Sequence, residues 1–92
     1  MNIFAGIGKI VEVNMNGKVL KFNLAVLQEK PCYVPCVLFD PDDEVIKFVE
    51  QLQLNKKVVS LQGRISSYEF ESQGRSIRKI DVVTFPKNIR PI

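Results

Sequence analysis

Two cysteines, Cys32 and Cys36, stand four positions apart in a chain that contains no histidine. Thiols at such spacing could form a disulfide, hold a metal or supply a nucleophile. The first is excluded by reach: four residues of extended chain span about 13 Å, and a disulfide needs Cα atoms within about 7 Å. A zinc site needs four donors, and a single cysteine pair without histidine supplies half a set. A thiolate nucleophile loses its usual imidazole activator, and the same gap removes the commonest general base. Small buried thiols are the remaining reading. The densest acids, Asp40, Asp42, Asp43 and Glu44, suit the start of a helix, where negative charge offsets the helix dipole. No catalytic residue, metal ligand set or cofactor emerges, and an enzyme is not expected.

A different chemistry lies in the basic and aromatic residues. Residues 1–55 hold five Lys against seven acids, whereas residues 56–92 hold eight Lys or Arg against Glu69, Glu71 and Asp81, so the net charge of +3 belongs to the C-terminal part. There Arg64, Arg75, Arg78 and Lys79 flank Tyr68 and Phe70. Positive charge interleaved with flat rings is what binding of an unpaired nucleic-acid strand requires, because neutralised phosphates release counterions and bases stack on aromatic faces. The same charges also suit a solvated hairpin, and the same rings suit a core or a protein interface.

The elements that must position these residues follow from periodicity. Asn2 to Val13 reads as a strand, with Gly6 and Gly8 where it bends or admits another backbone. A turn at Asn14 to Gly17 follows. Lys18 to Leu27 alternates, with Leu20, Phe22, Leu24 and Val26 on one face and Val19, Lys21, Asn23 and Ala25 on the other. After a short link, Gln28 to Pro31, Cys32 to Phe39 is apolar on both parities and reads as a strand covered on both sides. Pro35 predicts a bulge or an edge there. Asp40 as N-cap and Pro41 at the first helical position open a helix that ends near Asn55, its stripe of Val45, Phe48, Val49 and Leu52 plugging the core. Lys56 to Phe70 is a strand bent at Gly63, with Val59, Leu61 and Ile65 on one face and Arg64, Tyr68 and Phe70 on the other. Glu71 to Gly74 is a hairpin loop, and Arg75 to Phe85 is the last strand.

The expected fold is therefore all-β with one helix: a single domain over residues 1–92, built as a five-stranded OB-fold Greek-key barrel with the helix between strands three and four. No apolar run approaches the roughly 20 residues of a membrane span, and no export leader is visible, so the expected location is cytoplasmic.

Segment by segment, the chain resembles the bacterial single-stranded-DNA-binding protein family nearly end to end. Ile7-Gly8-Lys9-Ile10 is similar to the family's hydrophobic-Gly-Arg-Leu segment, and Phe22-Asn23-Leu24-Ala25-Val26 to its F-x-L-A-V strand. Val37-Leu38-Phe39 resembles the V-L-F-G end of strand three, while Gln62-Gly63-Arg64-Ile65 and Ile80-Asp81-Val82-Val83 resemble E-G-x-L and x-E-V-V. The resemblance implies base stacking at Tyr33, which stands where the family has Trp, at Phe39 of the L-F-G segment, and at Phe70 on the Trp of the strand-four hairpin. Tyr68 is a further candidate. It also implies phosphate contacts from Arg64, Arg75, Arg78 and Lys79, and from Lys9 in strand one. Each ring could instead pack in a core or an oligomer, and each charge could be merely solvated. The implied partner is single-stranded nucleic acid, DNA in preference to RNA, in DNA replication and repair, with assembly as a homo-oligomer, dimer or tetramer. The short Gln28–Pro31 link removes contact length relative to the family, and the absence of an acidic tail after Ile92 removes its partner-docking segment. A primosomal replication protein, similar in size and likewise tailless, and an OB-type protein-interaction module are the alternatives.

Overall fold

The computed structural model describes residues 2–92. Leu20, Phe22 and Leu24 alternate with polar or small neighbours and turn one face of their strand fully inward. The order is β1 (Ile3–Asn16), β2 (Val19–Val26), β3 (Cys32–Phe39), α1 (Asp43–Leu54), β4 (Val58–Ser72) and β5 (Arg75–Pro91). The strands close a barrel in the order β1-β2-β3-β5-β4, with β4 returning to β1. Every pairing is antiparallel except that of β3 with β5, which meet at Cys36↔Val82 and Val37↔Val83. This is the expected Greek-key barrel, with α1 between β3 and β4. Val49 and Leu52 of α1 join Ile10, Leu38, Val59 and Leu61 in the core, so the helix plugs the barrel.

Several boundaries differ from expectation for identifiable reasons. The helix is capped by Asp42, whose Oδ1 accepts from the Val45 N–H at 2.9 Å, and Asp40 lies outside it. Asp40 is held at φ 49°, with its N–H donating to the Lys18 carbonyl at 2.8 Å, so it ends β3 instead of starting α1. The first hairpin turns at Gly17 and Lys18, while Asn14 and Met15 pair with Lys21 and Leu20. The irregularity in β1 sits earlier, between Val11 and Asn14, where Glu12 has φ 55°. No bulge forms in β3, whose register with β2 is unbroken from Val19↔Phe39 to Val26↔Cys32. Pro35 is tolerated because β5 reaches β3 only at Cys36 and Val37, leaving it on an edge where no ladder donor is needed. The second hairpin is tighter than expected, with only Gln73 and Gly74 at its tip, both at positive φ. Finally, β5 continues past Phe85 to Pro91, and Ile89 is buried opposite Leu61.

That continuation depends on Gly63. The β4–β5 register jumps from Leu61↔Ile89 to Gly63↔Thr84, and a Cβ on Gly63 would lie 2.5 Å from a Val82 methyl and 2.7 Å from the Val83 carbonyl oxygen. Only glycine lets the two backbones approach this closely. The irregular ladder leaves the Gln62 carbonyl to be satisfied by the buried Thr84 hydroxyl, which donates at 2.6 Å. Thr84→Val keeps the shape but removes that donor, so it is expected to cost about 1–3 kcal/mol in denaturant-induced unfolding. An unchanged midpoint would show that this hydrogen bond does not hold the bulge.

Candidate nucleic-acid interface

In a paired ladder, directly opposed residues share a face. Along the β4–β5 hairpin the pairs Arg64↔Val83, Ser66↔Asp81, Tyr68↔Lys79, Phe70↔Ile77 and Ser72↔Arg75 fall on one face, and Glu69↔Arg78 falls on the other. The first face continues around the barrel exterior: Val83 is level with Val37, and Val37 with Lys21. A cleft of about 370 Å³ opens along this surface, lined by Lys21, Asn23, Pro35, Tyr68, Lys79 and Asp81 among others. A second, of about 220 Å³, adds Val19, Phe39, Ser66 and Val83 and shares Lys21, Val37, Tyr68 and Asp81 with the first. The two form one open groove with barrel strands on one side and the hairpin on the other.

Phe39 and Tyr68 line it, and Phe70 continues the Tyr68 face toward the hairpin tip. Tyr68 and Phe70 have ring centroids 6.3 Å apart with planes at 32°, and Lys79 Nζ sits 5.4 Å from the Phe70 centroid, a cation–π arrangement. Phe39 and Tyr33 are 60% and 58% exposed, Tyr68 and Phe70 about two-fifths, so none of the four is a core residue. Tyr33 shares the outward parity of Phe39 but lies toward the far end of β3, level with Ala25 and Lys9. Lys9 itself borders a separate cleft with Glu12, Gln53 and Lys56. Arg64 lies on the groove face at the base of the hairpin and Arg75 at its tip.

Arg78 is not brought to this surface. It lies on the opposite face, where its Nη2 is 2.6 Å from Glu69 Oε1. Three charged residues that line the groove, Glu12, Lys21 and Asp81, were not among the candidate site residues read from the sequence. The signal for Lys21 was present: the alternation of β2 places it on the outward, mixed face. Asp81 is the one acid of β5, at a position where the outward parity of Lys79 continues.

No family model matches the sequence, and no curated protein matches it. Solved structures do. The mitochondrial single-stranded DNA binding protein of S. cerevisiae superposes with a TM-score of 0.75 at 17% identity, covering 99% of this chain and 94% of that one. A second crystal structure of the yeast protein gives a TM-score of 0.73 at 15% identity over the same coverage. The Plasmodium falciparum SSB in complex with ssDNA gives 0.67 at 14% identity, covering 91% of this chain and 86% of that one. The chain has the OB-fold of these single-stranded-DNA-binding proteins.

Within this OB-fold the titratable groups show what the site can do chemically. The Cys36 thiol is pushed up to about 12, chiefly by burial, with Asp81 adding to the rise against a backbone hydrogen bond from Leu24. It stays protonated at neutral pH and is no nucleophile. Cys32, expected to be buried like Cys36, is instead free and exposed, at the first residue of β3. The Tyr68 hydroxyl is raised above the usual tyrosine value, first by desolvation and then by the charge and hydrogen bonding of Asp81, so it remains a neutral donor. No helix among the described residues is long and apolar enough to cross a membrane.

Two outcomes follow from these environments. With a thiol-reactive chromophore at mildly alkaline pH, Cys32 is expected to react and Cys36 only on unfolding; rapid reaction of both in the folded protein would contradict the burial of Cys36. In Asp81→Asn the Tyr68 titration, followed by ring NMR signals, is expected to move down toward the ordinary tyrosine range without reaching it, because desolvation remains.

Proposed function

We propose that this protein binds single-stranded DNA with little sequence preference, acting by binding and not by catalysis. The observation that carries this reading is the groove itself, lined by the exposed rings of Phe39 and Tyr68 beside Lys21 and Lys79, with Phe70 and Arg64 on the same face of the hairpin. Among the described residues the one ion pair is Arg78–Glu69, on the other face, so no groove cation is tied up in an ion pair. Each stacked base contributes roughly 1–3 kcal/mol regardless of its identity, and phosphates follow the cations. Tyr33 and Lys9 extend the path along β3 and β1, and Arg75 extends it at the hairpin tip. The presence of single-stranded DNA in the P. falciparum protein of the same fold supports this partner; the same reading prefers DNA to RNA and places the protein in DNA replication and repair.

The protein assembles as a homo-oligomer, dimer or tetramer. The support lies on β1, where Ile3 and Ile7 point outward on one parity at 61% and 49% exposure with Ala5 between them. The apolar character of both faces of β3 has another use: its outward residues Pro35, Val37 and Phe39 line the groove. A protein-interaction module would use the rings without the cations, and a steep fall of affinity with salt separates the two readings.

Phe70→Ala is expected to weaken binding of a fluorescent single-stranded oligonucleotide by about 1–3 kcal/mol while leaving the melting temperature nearly unchanged. Lys21→Ala is expected to reduce the slope of log affinity against log salt by about 0.7, the loss of one single-strand phosphate contact, and Arg78→Ala to alter neither quantity appreciably. Unpaired strands bind more tightly than duplex, whose bases are closed to stacking. Duplex binding as tight as single-strand binding, or Phe70→Ala without effect on an intact fold, would overturn the proposal.

A further inference from the structure

Asp81 is misplaced for a groove whose business is phosphate. It lies on the groove face opposite Ser66, lines both halves of the cleft, and is partly buried between the barrel wall and Tyr68. Lys21 and Lys79 line the same space, but among the described residues the one ion pair is Arg78–Glu69, so neither lysine is within ion-pair distance of the Asp81 carboxylate. A carboxylate repels phosphate, so the group that sits over it in a complex is a base and not the backbone. An ionised carboxylate is also acceptor-only, and the Tyr68 hydroxyl beside it satisfies one lone pair, leaving others that need donors.

We infer that Asp81 is a base-selecting residue, its carboxylate receiving hydrogen bonds from the amino group of a base seated in the cleft between Phe39 and Tyr68. The inference rests on the reading of the groove as a single-strand site. Cytosine, adenine and guanine each present an exocyclic amino group, and an acidic side chain accepting from cytosine N4 is an established base contact. Thymine offers only its N3–H, flanked by two carbonyl oxygens that a carboxylate repels. One subsite in an otherwise sequence-tolerant groove therefore discriminates against thymine. The neighbouring Tyr68 hydroxyl is held neutral and its ring gives the base a face to stack on, so selection and stacking act at one place.

The test compares oligo-dC with oligo-dT of equal length, by fluorescence anisotropy, for the native protein and for Asp81→Asn. Intrinsic stacking and flexibility differences between the two strands cancel in the ratio of ratios. An asparagine presents both an acceptor and a donor, so it serves either base. The dC-to-dT affinity ratio is expected to fall about fivefold or more on substitution, the lower end of what one specific base contact discriminates. Affinity for dT is expected to rise as the carboxylate is removed. A second measurement needs no variant: an oligonucleotide of 2-pyrimidinone, which is cytosine without its amino group, is expected to bind the native protein more weakly than oligo-dC. Binding of both strands with an unchanged ratio, and equal binding of the 2-pyrimidinone strand, would overturn the inference and leave single-strand binding intact. Failure to bind any oligonucleotide would overturn both.

Discussion

The close approach of backbones at Gly63 is the constraint on which the rest of the molecule depends. Strand β4 has two duties: from Val58 to Arg64 it pairs with β1 and closes the barrel, and from Gly63 to Ser72 it pairs with β5 as a projecting hairpin. Between Leu61↔Ile89 and Gly63↔Thr84 the ladder advances two residues on β4 and five on β5. The odd number reverses the parity of β5. Val82 and Thr84 face inward before the jump and Ile89 after it, while β4 keeps its inward set without interruption. The barrel can therefore close around Leu61 and Ile89 while Lys79 and Asp81 stay on the outer face beside Tyr68.

The same parity sorts the charges. Arg64, Arg75 and Lys79 share the groove face with both hairpin rings, and Glu69 and Glu71 lie on the other face with Arg78. A hairpin whose overall charge is only moderately positive thus presents one strongly basic side. The Arg78–Glu69 pair, both side chains exposed, adds little stability. Its effect is to keep one cation and one acid away from the groove. Asp81 is the exception to this sorting, and its position at the junction of both cleft halves is what gives it chemical meaning.

Much of this was legible in the residues themselves. Alternation over Leu20, Phe22 and Leu24, the helical stripe of Val45, Val49 and Leu52, and a glycine at the bend of β4 yield the element order and the barrel, because each is a local pattern with one physical solution. What local pattern cannot carry is a contact made elsewhere in the chain. Asp40 has every property of an N-cap, but its N–H is claimed by the Lys18 carbonyl and the cap passes to Asp42. Ile89 lies off the period set by Val82 because the ladder slips on a partner strand. Lys21 was hidden by charge counted along the chain, which marks its half as acidic. The fold gathers charge by face, and β2 places Lys21 level with Val37 on the groove.

The two walls of the groove differ mechanically, and that difference suits a strand of mixed bases. Lys21, Val37 and Phe39 stand on β2 and β3, held by an unbroken eight-pair register and backed by Leu20, Cys36 and Leu38 in the core. Tyr68 and Phe70 stand on a two-stranded ribbon: from Ser67↔Ile80 to Ser72↔Arg75, β4 and β5 pair only with each other, and both their faces are exposed. A two-stranded ribbon without a packed face is held weakly, so it bends at lower cost than the barrel wall does. Purines and pyrimidines differ in width, and a groove with two stiff walls would favour one of them sterically. With one wall fixed and the other compliant, stacking accommodates either, and any discrimination that remains must come from hydrogen bonding at the point where the walls meet, which is where Asp81 lies.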